Sequence, residues 1–232
     1  MQLRSRYKQG LLDGVPIALG YLSVSFAFGI SAAAGGLSAA QAVLLSMTNL
    51  TSAGQVAGLS LMCSAASLGE MAATQLVINL RYALMSLSLS QKLDRSVTRA
   101  ERFLIAFFNT DEIFAVAASG GEVATRYMLG LGTLPWLGWA TGTLLGAVAG
   151  ELLPAAVTAA LGMAIYGMFI AIVAPAARRS RPVLAVVALA AGLSVFLRYC
   201  VPAVSSGFSI ILCALAASAF GALAFPLQEA AE

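Results

Sequence analysis

The chain has 232 residues, of which 60% are hydrophobic and only 10% charged, whereas about a quarter of the residues in an ordinary soluble domain are charged. Its mean hydropathy is +0.90, so the core of a single soluble domain could not bury all its apolar residues. A soluble globular protein is therefore excluded. It contains no histidine, which excludes imidazole acid-base catalysis and the commonest metal ligand.

The remaining composition argues against several other classes of protein. The net charge of +3 is small, and the basic residues form short clusters between apolar runs, which indicates membrane orientation and no nucleic-acid binding. The three cysteines have no metal-like spacing, so we predict no metal and no other cofactor. The chain also lacks a phosphate-binding Gly-x-x-x-x-Gly-Lys loop, so direct use of ATP is not expected.

Apolar runs punctuated by proline and glycine predict an all-α fold, a polytopic transmembrane bundle of about seven to eight segments, some broken or re-entrant. The runs cover residues 15–35, 38–62, 64–90, 103–119, 127–149, 152–174, 183–199 and 204–226. We expect a single membrane domain over residues 1–232, with an internal repeat as one way to build it. Arg4, Arg6 and Lys8 precede the first run, so we predict a retained span with a cytoplasmic N-terminus and not a cleaved signal peptide.

The basic clusters predict that some segments do not cross the membrane completely. Clusters at 4–8, 92–102 and 178–181 should all face the cytoplasm, so an even number of crossings must separate each pair. Three segments lie between the second and third clusters, and 103–119 is the best candidate for an incomplete crossing because it is short and polar at its middle. Residues 38–90 must supply an odd number of crossings, which broken helices again satisfy. Broken helices are tolerated where they are buried in protein or line a cavity, and transporters bind substrates at them.

The first polar stretch in an apolar region runs from Ser46 to Gln55 and includes Asn49 and Gly54. A helix break near Gly54 is one interpretation, because glycine loosens the backbone and the hydroxyl and amide groups re-satisfy it. A continuous helix whose polar face binds another helix is the alternative.

The second polar stretch is Asn79-Leu80-Arg81-Tyr82. An arginine at the centre of a membrane helix costs about 2.5 to 3.5 kcal/mol on insertion scales, so Arg81 should have a carboxylate or carbonyl partner. A fixed structural ion pair, or a side chain that reaches the membrane surface, is the alternative to a functional role.

The third stretch is Asn109-Thr110-Asp111-Glu112. Neighbouring residues on a helix point about 100° apart, so the two carboxylates should have different roles. One is expected to meet Arg81, while the other is free to bind a cation or a proton; the sequence leaves open which is which. Capping of a buried half-helix by the pair is a compatible structural role.

One packing signal is specific. Gly138, Gly142, Gly146 and Gly150 recur every four residues, which places small residues along one helix face and allows a second helix to approach closely. The spacing leaves open whether that helix is internal or belongs to another polypeptide.

The chain resembles the AzlC family, the large subunit of bacterial branched-chain amino acid exporters. The resemblance rests on four segments, Gly20–Gly29, Ser52–Gln55, Asn79–Tyr82 and Thr110–Phe114. It implies export of valine and similar amino acids across the bacterial cytoplasmic membrane, together with a small hydrophobic partner subunit of the AzlD type. Tyr82 stands where members of the family often carry histidine, which affects the expected coupling or substrate preference.

We therefore expect a secondary exporter of branched-chain or other neutral amino acids, not an enzyme. The predicted substrate-binding or coupling residues are Gln55, Gly54, Asn79, Arg81, Asp111 and Glu112, with Asn49, Tyr82 and Thr110 as further members. Helix N-termini near Gly54 or Asn79 would hold the substrate carboxylate, an acid such as Asp111 would face its ammonium group, and a proton gradient or the membrane potential would drive transport. A non-transporting membrane scaffold and, less well supported, an intramembrane enzyme are the alternatives.

Overall fold

A computed structural model describes residues 2–152, 154, 156–157 and 164–226, and these residues form helices without any β-strand. The predicted all-α class is thus confirmed. The helices are α1 (Gln2–Ala34), α2 (Ala39–Thr48), α3 (Ser52–Cys63), α4 (Leu68–Ser90), α5 (Arg99–Phe108), α6 (Asp111–Ser119), α7 (Thr125–Leu152), α8 (Ala164–Arg179), α9 (Arg181–Cys200) and α10 (Ser206–Ala224).

Three helices of the described chain are long and apolar enough to cross a membrane, namely Arg6–Ala34 within α1, α9 and α10. The larger number of seven to eight membrane segments stays a prediction. Part of the expected segment 152–174 lies outside the described residues.

The described residues form two compact units. One contains those of ranges 1–59 and 79–165, and the other contains those of ranges 60–78 and 166–232. The boundary at residues 78 and 79 falls inside α4, so this helix contributes its first part to the second unit and the remainder to the first.

In the first unit, α1 and α7 pack with their backbones in close contact. A Cβ atom built on Gly142 would overlap the Leu22 carbonyl oxygen, and one built on Gly146 would overlap the Phe26 carbonyl oxygen. Gly10 of α1 is equally close to the Tyr127 carbonyl oxygen of α7. The contacts advance in the same direction along both helices, so α1 and α7 run parallel. The partner of the predicted glycine face is therefore an internal helix.

Two pairs of short helices each bend at a non-helical break in the first unit, and we call each pair a hairpin; the end of α3 belongs to the second unit. The first is α2–α3: Gln55 Nε2 donates to Ser46 Oγ over 2.6 Å, although residues nine apart on one straight helix would be separated by about 13 Å. The second is α5–α6: the Val123 N–H donates to the Lys92 carbonyl oxygen over 2.8 Å, so the chain after α6 returns to the loop before α5. The predicted breaks within 38–62 and 103–119 are confirmed. The α5–α6 pair begins and ends at the same end of the first unit.

The two hairpins are specified by the same local signals. Ser38 with Gln41 and Thr98 with Glu101 form capping boxes at the starts of α2 and α5, in which each side chain satisfies a backbone N–H of the first turn. Each ten-residue helix then ends at an asparagine. A threonine caps the following helix: Thr51 Oγ1 accepts from the Gly54 N–H over 3.2 Å, and Thr110 Oγ1 accepts from the Ile113 N–H over 3.4 Å.

In the second unit, α9 packs against α10. Hydrogen bonds also connect the first turn of α4 to the start of α10. Glu70, only 9% exposed, accepts a hydrogen bond from the Ser205 hydroxyl and one of 2.9 Å from the Gly207 N–H. The first backbone N–H groups of a helix have no partner within it, so the buried carboxylate satisfies one of them and its charge lies at the favourable helix end.

Candidate functional site

The tips of the two hairpins meet the middle of α4 in the first unit. At the first tip, Thr51 Oγ1 donates to Asn79 Oδ1 over 2.6 Å, and Thr51 also forms a side-chain hydrogen bond with Tyr82. At the second tip, Asn109 Nδ2 donates to Ser86 Oγ over 3.1 Å. Residues 79–86 of α4 therefore receive polar groups from two helix breaks.

An ion pair lies at this meeting point. Arg81 Nη1 and Asp111 Oδ2 are 2.7 Å apart, and both side chains are 43% exposed. The Arg81 guanidinium also lies over the Tyr82 ring, 5.0 Å from its centroid. The prediction that a neighbouring acid meets Arg81 is confirmed, and the acid is Asp111.

The ion pair is partly exposed although it lies within apolar parts of the chain. Arg81 lies inside α4 and Asp111 begins α6 at a break in an apolar hairpin, so neither is at a polar chain end. Charged groups in such a setting face a water-filled space or another protein group in preference to lipid. The 43% exposed fraction of both side chains is therefore consistent with a polar space or another protein group beside the pair.

The second carboxylate has different partners, as the helical geometry requires. Tyr21 of α1 donates to Glu112 Oε2 over 2.5 Å, and its hydroxyl lies 2.6 Å from Thr110 Oγ1. Because a phenol has one proton, donation to Glu112 leaves the Thr110 hydroxyl as the donor in the second bond. The exposed Glu112 and the buried Tyr21, 8% exposed, therefore belong to a chain of three oxygens beside the ion pair.

Two of the predicted site residues, Gln55 and Asn49, stabilise the first hairpin in the structure. Gln55 is 1% exposed; besides its bond to Ser46, its Oε1 accepts from Trp139 Nε1 over 2.9 Å. The amide oxygen holds α3 to α7 and the amide nitrogen holds α3 to α2, so substrate contact by Gln55 stays a prediction that this geometry does not favour. Asn49 Oδ1 accepts from the Thr51 N–H over 3.3 Å and shapes the tip.

One of the two predicted helix N-termini is confirmed and the other is wrong. The N-terminus near Gly54 is present, since α2 ends at Thr48 and α3 begins at Ser52, which places Gly54 in the first turn of α3. Asn79 lies inside the continuous α4, so no helix N-terminus is present there to hold a carboxylate. Threonine and asparagine caps, not the glycine, determine where the first break falls.

The site also contains two residues that the sequence analysis did not select. Tyr21 is one; its signal is a phenol within an apolar run in the first segment of the AzlC resemblance. Asn109 is the other. It is 3% exposed, and its Oδ1 has no hydrogen-bond partner among the described residues. Its signal is a position sixty residues after Asn49, the same interval that separates Thr98 from Ser38.

The fold and the site together define an α-helical membrane protein with the features of a transporter component. The two acids of the site, Asp111 and Glu112, lie at a helix break, as the binding sites of transporters do. The AzlC protein family profile matches residues 16–153, more than half of the sequence, and the chain belongs to the AzlC family.

Two relatives agree with this assignment. The chain is 28% identical over 204 residues to the inner membrane protein YgaZ of Escherichia coli K12, which covers 84% of this chain and 83% of YgaZ. It is 32% identical over 171 residues to a protein of Archaeoglobus fulgidus described as an uncharacterized membrane protein, covering 73% of this chain and 75% of the relative. No solved structure matches the chain.

Proposed function

We propose that the protein exports branched-chain or other neutral amino acids across the bacterial cytoplasmic membrane as a secondary transporter, together with a small AzlD-type subunit. The observation that carries the proposal is the half-exposed Arg81–Asp111 pair between two hairpin tips. An amino-acid zwitterion carries the same two charges as the pair. Its carboxylate can take the place of Asp111 on Arg81, and its ammonium group can take the place of Arg81 on Asp111, with no net change of charge.

The neighbouring groups favour a neutral substrate over a charged one. An additional charge on the substrate side chain would need a counter-ion, and the remaining groups at the tips are mostly uncharged: Thr51, Asn79 and Tyr82 carry hydroxyl and amide groups. Leu50 of the first tip packs with Tyr21 and Trp139 in a buried apolar cluster, so no charged group comes from that side of the tip.

The proposed orientation is supported by the positions of the basic residues in the first unit. Gly10 lies against Tyr127, and Val123 pairs with Leu93, so the start of α1, the 91–98 loop and the start of α7 share one end. Arg6, Lys8 and the basic residues of 92–102 lie at this end, which supports a cytoplasmic location for it and for the N-terminus. The α2–α3 hairpin follows the other end of α1, so the two hairpins enter the unit from opposite ends.

The similar hairpins support an inverted repeat as the internal organisation. Each repeat would consist of a hairpin and the long helix after it, α2–α3 with α4 and α5–α6 with α7. Inverted repeats give a transporter two related gates, one towards each side of the membrane, with the substrate between them. The small subunit, which the family implies, would cover exposed charged groups of the site from lipid.

The test is valine efflux from proteoliposomes that contain the chain with its small subunit. We expect Asp111→Asn and Arg81→Ala to lose at least 90% of the efflux while they still fold and assemble, because each leaves one end of the zwitterion unpaired. Glu101→Gln is the matched control: it removes an acid from the same hairpin but keeps a capping residue, as Gln41 does in the first hairpin. Normal export by both site variants would refute the site, and absence of gradient-dependent flux of any amino acid would favour a scaffold.

A further inference from the structure

We propose that a cavity between α9 and α10 binds the phosphate group of an anionic phospholipid, with Arg198 as its charged ligand. The cavity belongs to the second unit and has a volume of about 420 Å³, which is within the size range of small-molecule sites. The Arg81–Asp111 pair belongs to the first unit, so this proposal does not depend on the transported substrate.

Arg198 carries a positive charge that has no carboxylate partner in the described part of the chain. Its guanidinium forms no ion pair there, and the residue is exposed. The described residues of the second unit include one acid, Glu70, and this carboxylate already accepts hydrogen bonds from Ser205 and Gly207. The charge beside the cavity is therefore available to an anion from outside the chain.

The lining of the cavity supplies further hydrogen-bond donors for such an anion. Ser194 and Arg198 lie one turn apart on α9 and line it, and so do Ser206 and Ser209, three residues apart on α10. A guanidinium donates several hydrogen bonds and each hydroxyl donates one, and a phosphate group can accept bonds from several of them at once. Among the described residues no carboxylate lines the cavity, so nothing in it repels an anion.

The position of Arg198 along α9 favours the phosphate of a lipid over a dissolved anion. The 20-residue α9 is long and apolar enough to cross a membrane, and it begins at Arg181, directly after Arg178 and Arg179. Arg198 in its last turn is about 25 Å from Arg181 along the helix axis, which is close to the thickness of the hydrocarbon core. It therefore lies near the opposite membrane surface, where phospholipid phosphate groups are concentrated.

The cavity also extends from this surface towards the apolar parts of both helices. Cys213 lies about 10 Å beyond Ser206 along α10, and Leu197 and Ile210 add apolar surface to the lining. A dissolved phosphate would leave this apolar part empty, whereas the glycerol group and the first acyl carbons of a lipid would fill it. A zwitterionic headgroup fits less well, because its ammonium group would need an acid and Glu70 is already in use.

The experiment titrates the purified full chain in detergent with phosphatidylglycerol, or with phosphatidylcholine of the same acyl chains, and follows bound lipid by native mass spectrometry. We expect saturable binding of a first phosphatidylglycerol molecule, which excess inorganic phosphate does not displace. Arg198→Gln should weaken this binding at least about tenfold, because it removes a charge-assisted hydrogen bond. Ser209→Leu should weaken it by a similar factor, since it fills the cavity and keeps the charge.

Two further variants are the controls. Arg179→Gln removes an equal charge near the other end of α9 and should leave the first binding step nearly unchanged. Arg198→Lys keeps the charge but loses the planar group with its several donors, so it should recover part of the affinity that Arg198→Gln loses.

Equal affinity for the two lipids in the unaltered chain would overturn the proposal, and this comparison needs no variant to fold. Unweakened binding by a folded Arg198→Gln would also overturn it. Displacement by inorganic phosphate would identify a site for the free anion and refute the lipid. Undiminished binding by Ser209→Leu would show attraction by surface charge alone and refute the cavity.

Discussion

The contact between α1 and α7 makes a quantitative prediction for Gly146→Ala. The new Cβ would overlap the Phe26 carbonyl oxygen, and a backbone atom cannot turn aside as a flexible side chain can. Overpacking of this kind costs about 3 kcal/mol at the upper end of its usual range, against a gain of about 1 kcal/mol from replacing glycine in a helix. We therefore expect a net loss of about 2 kcal/mol.

The assay is thermal unfolding of the purified protein in detergent, followed as loss of the monodisperse peak in size-exclusion chromatography after heating. For a chain of this size, a loss of about 2 kcal/mol corresponds to a fall in Tm of about 4–8 °C. Gly20→Ala is the matched control, because a Cβ there meets nothing within 4 Å and α1 keeps only the helical gain. If Gly146→Ala were as stable as Gly20→Ala, direct backbone packing would not be what holds these helices together.

Three further predictions concern side chains that hold helices in place by hydrogen bonds. Gln55→Ala should lower the unfolding free energy by about 1–3 kcal/mol, because it leaves the Trp139 N–H buried and unpaired, and should leave the KM for valine unchanged; an increased KM with normal stability would indicate substrate contact instead. Glu70→Ala should lower the Tm in the same assay, whereas Glu70→Gln should recover most of the loss because its amide oxygen still accepts; equal losses would show that charge matters more than the hydrogen bonds. Thr98→Ala should cost about 1 kcal/mol at neutral pH. The Thr98 N–H and hydroxyl lower the pKa of Glu101, so the part of this loss that comes from the hydroxyl bond to the carboxylate should disappear as the pH falls through that lowered value, and a constant difference between the variants down to acid pH would contradict it.

The breaks in the helices were predictable because apolar sequence makes polar residues conspicuous. Ser46–Gln55 and Asn109–Glu112 are anomalous in a membrane-length run, and the positions of the basic clusters require that residues 103–119 turn back. The exact end of α2 was not predictable from Gly54. Helix ends depend on which side-chain oxygen reaches a free N–H, and in the first hairpin that oxygen belongs to Thr51.

Contacts between residues far apart in the sequence were likewise predictable only in part. A charged arginine within an apolar helix is costly without a carboxylate partner. This energetic cost alone limited the candidates for the partner of Arg81 to Asp111 and Glu112. The choice between them depends on Tyr21, which approaches Glu112 from a helix far away in sequence. Tyrosine is common in apolar helices, so the sequence does not indicate that the hydroxyl of Tyr21 forms a hydrogen bond with Glu112. The glycine face of α7 predicted a close partner but carried no information on which helix it is.

The parallel contact between α1 and α7 also has a consequence for synthesis at the membrane. Gly10 contacts Tyr127 and Gly29 contacts Thr143, so the main partner of α1 is α7. Both hairpins and α4 are synthesised before α7, and α1 therefore lacks its main partner until they have been made. The hairpins, by contrast, close over a few residues and can form as they emerge, since local contacts form faster than distant ones. During that interval the glycine face of α1 is uncovered. Nascent chains stopped before α7 should therefore be the forms that membrane proteases remove first.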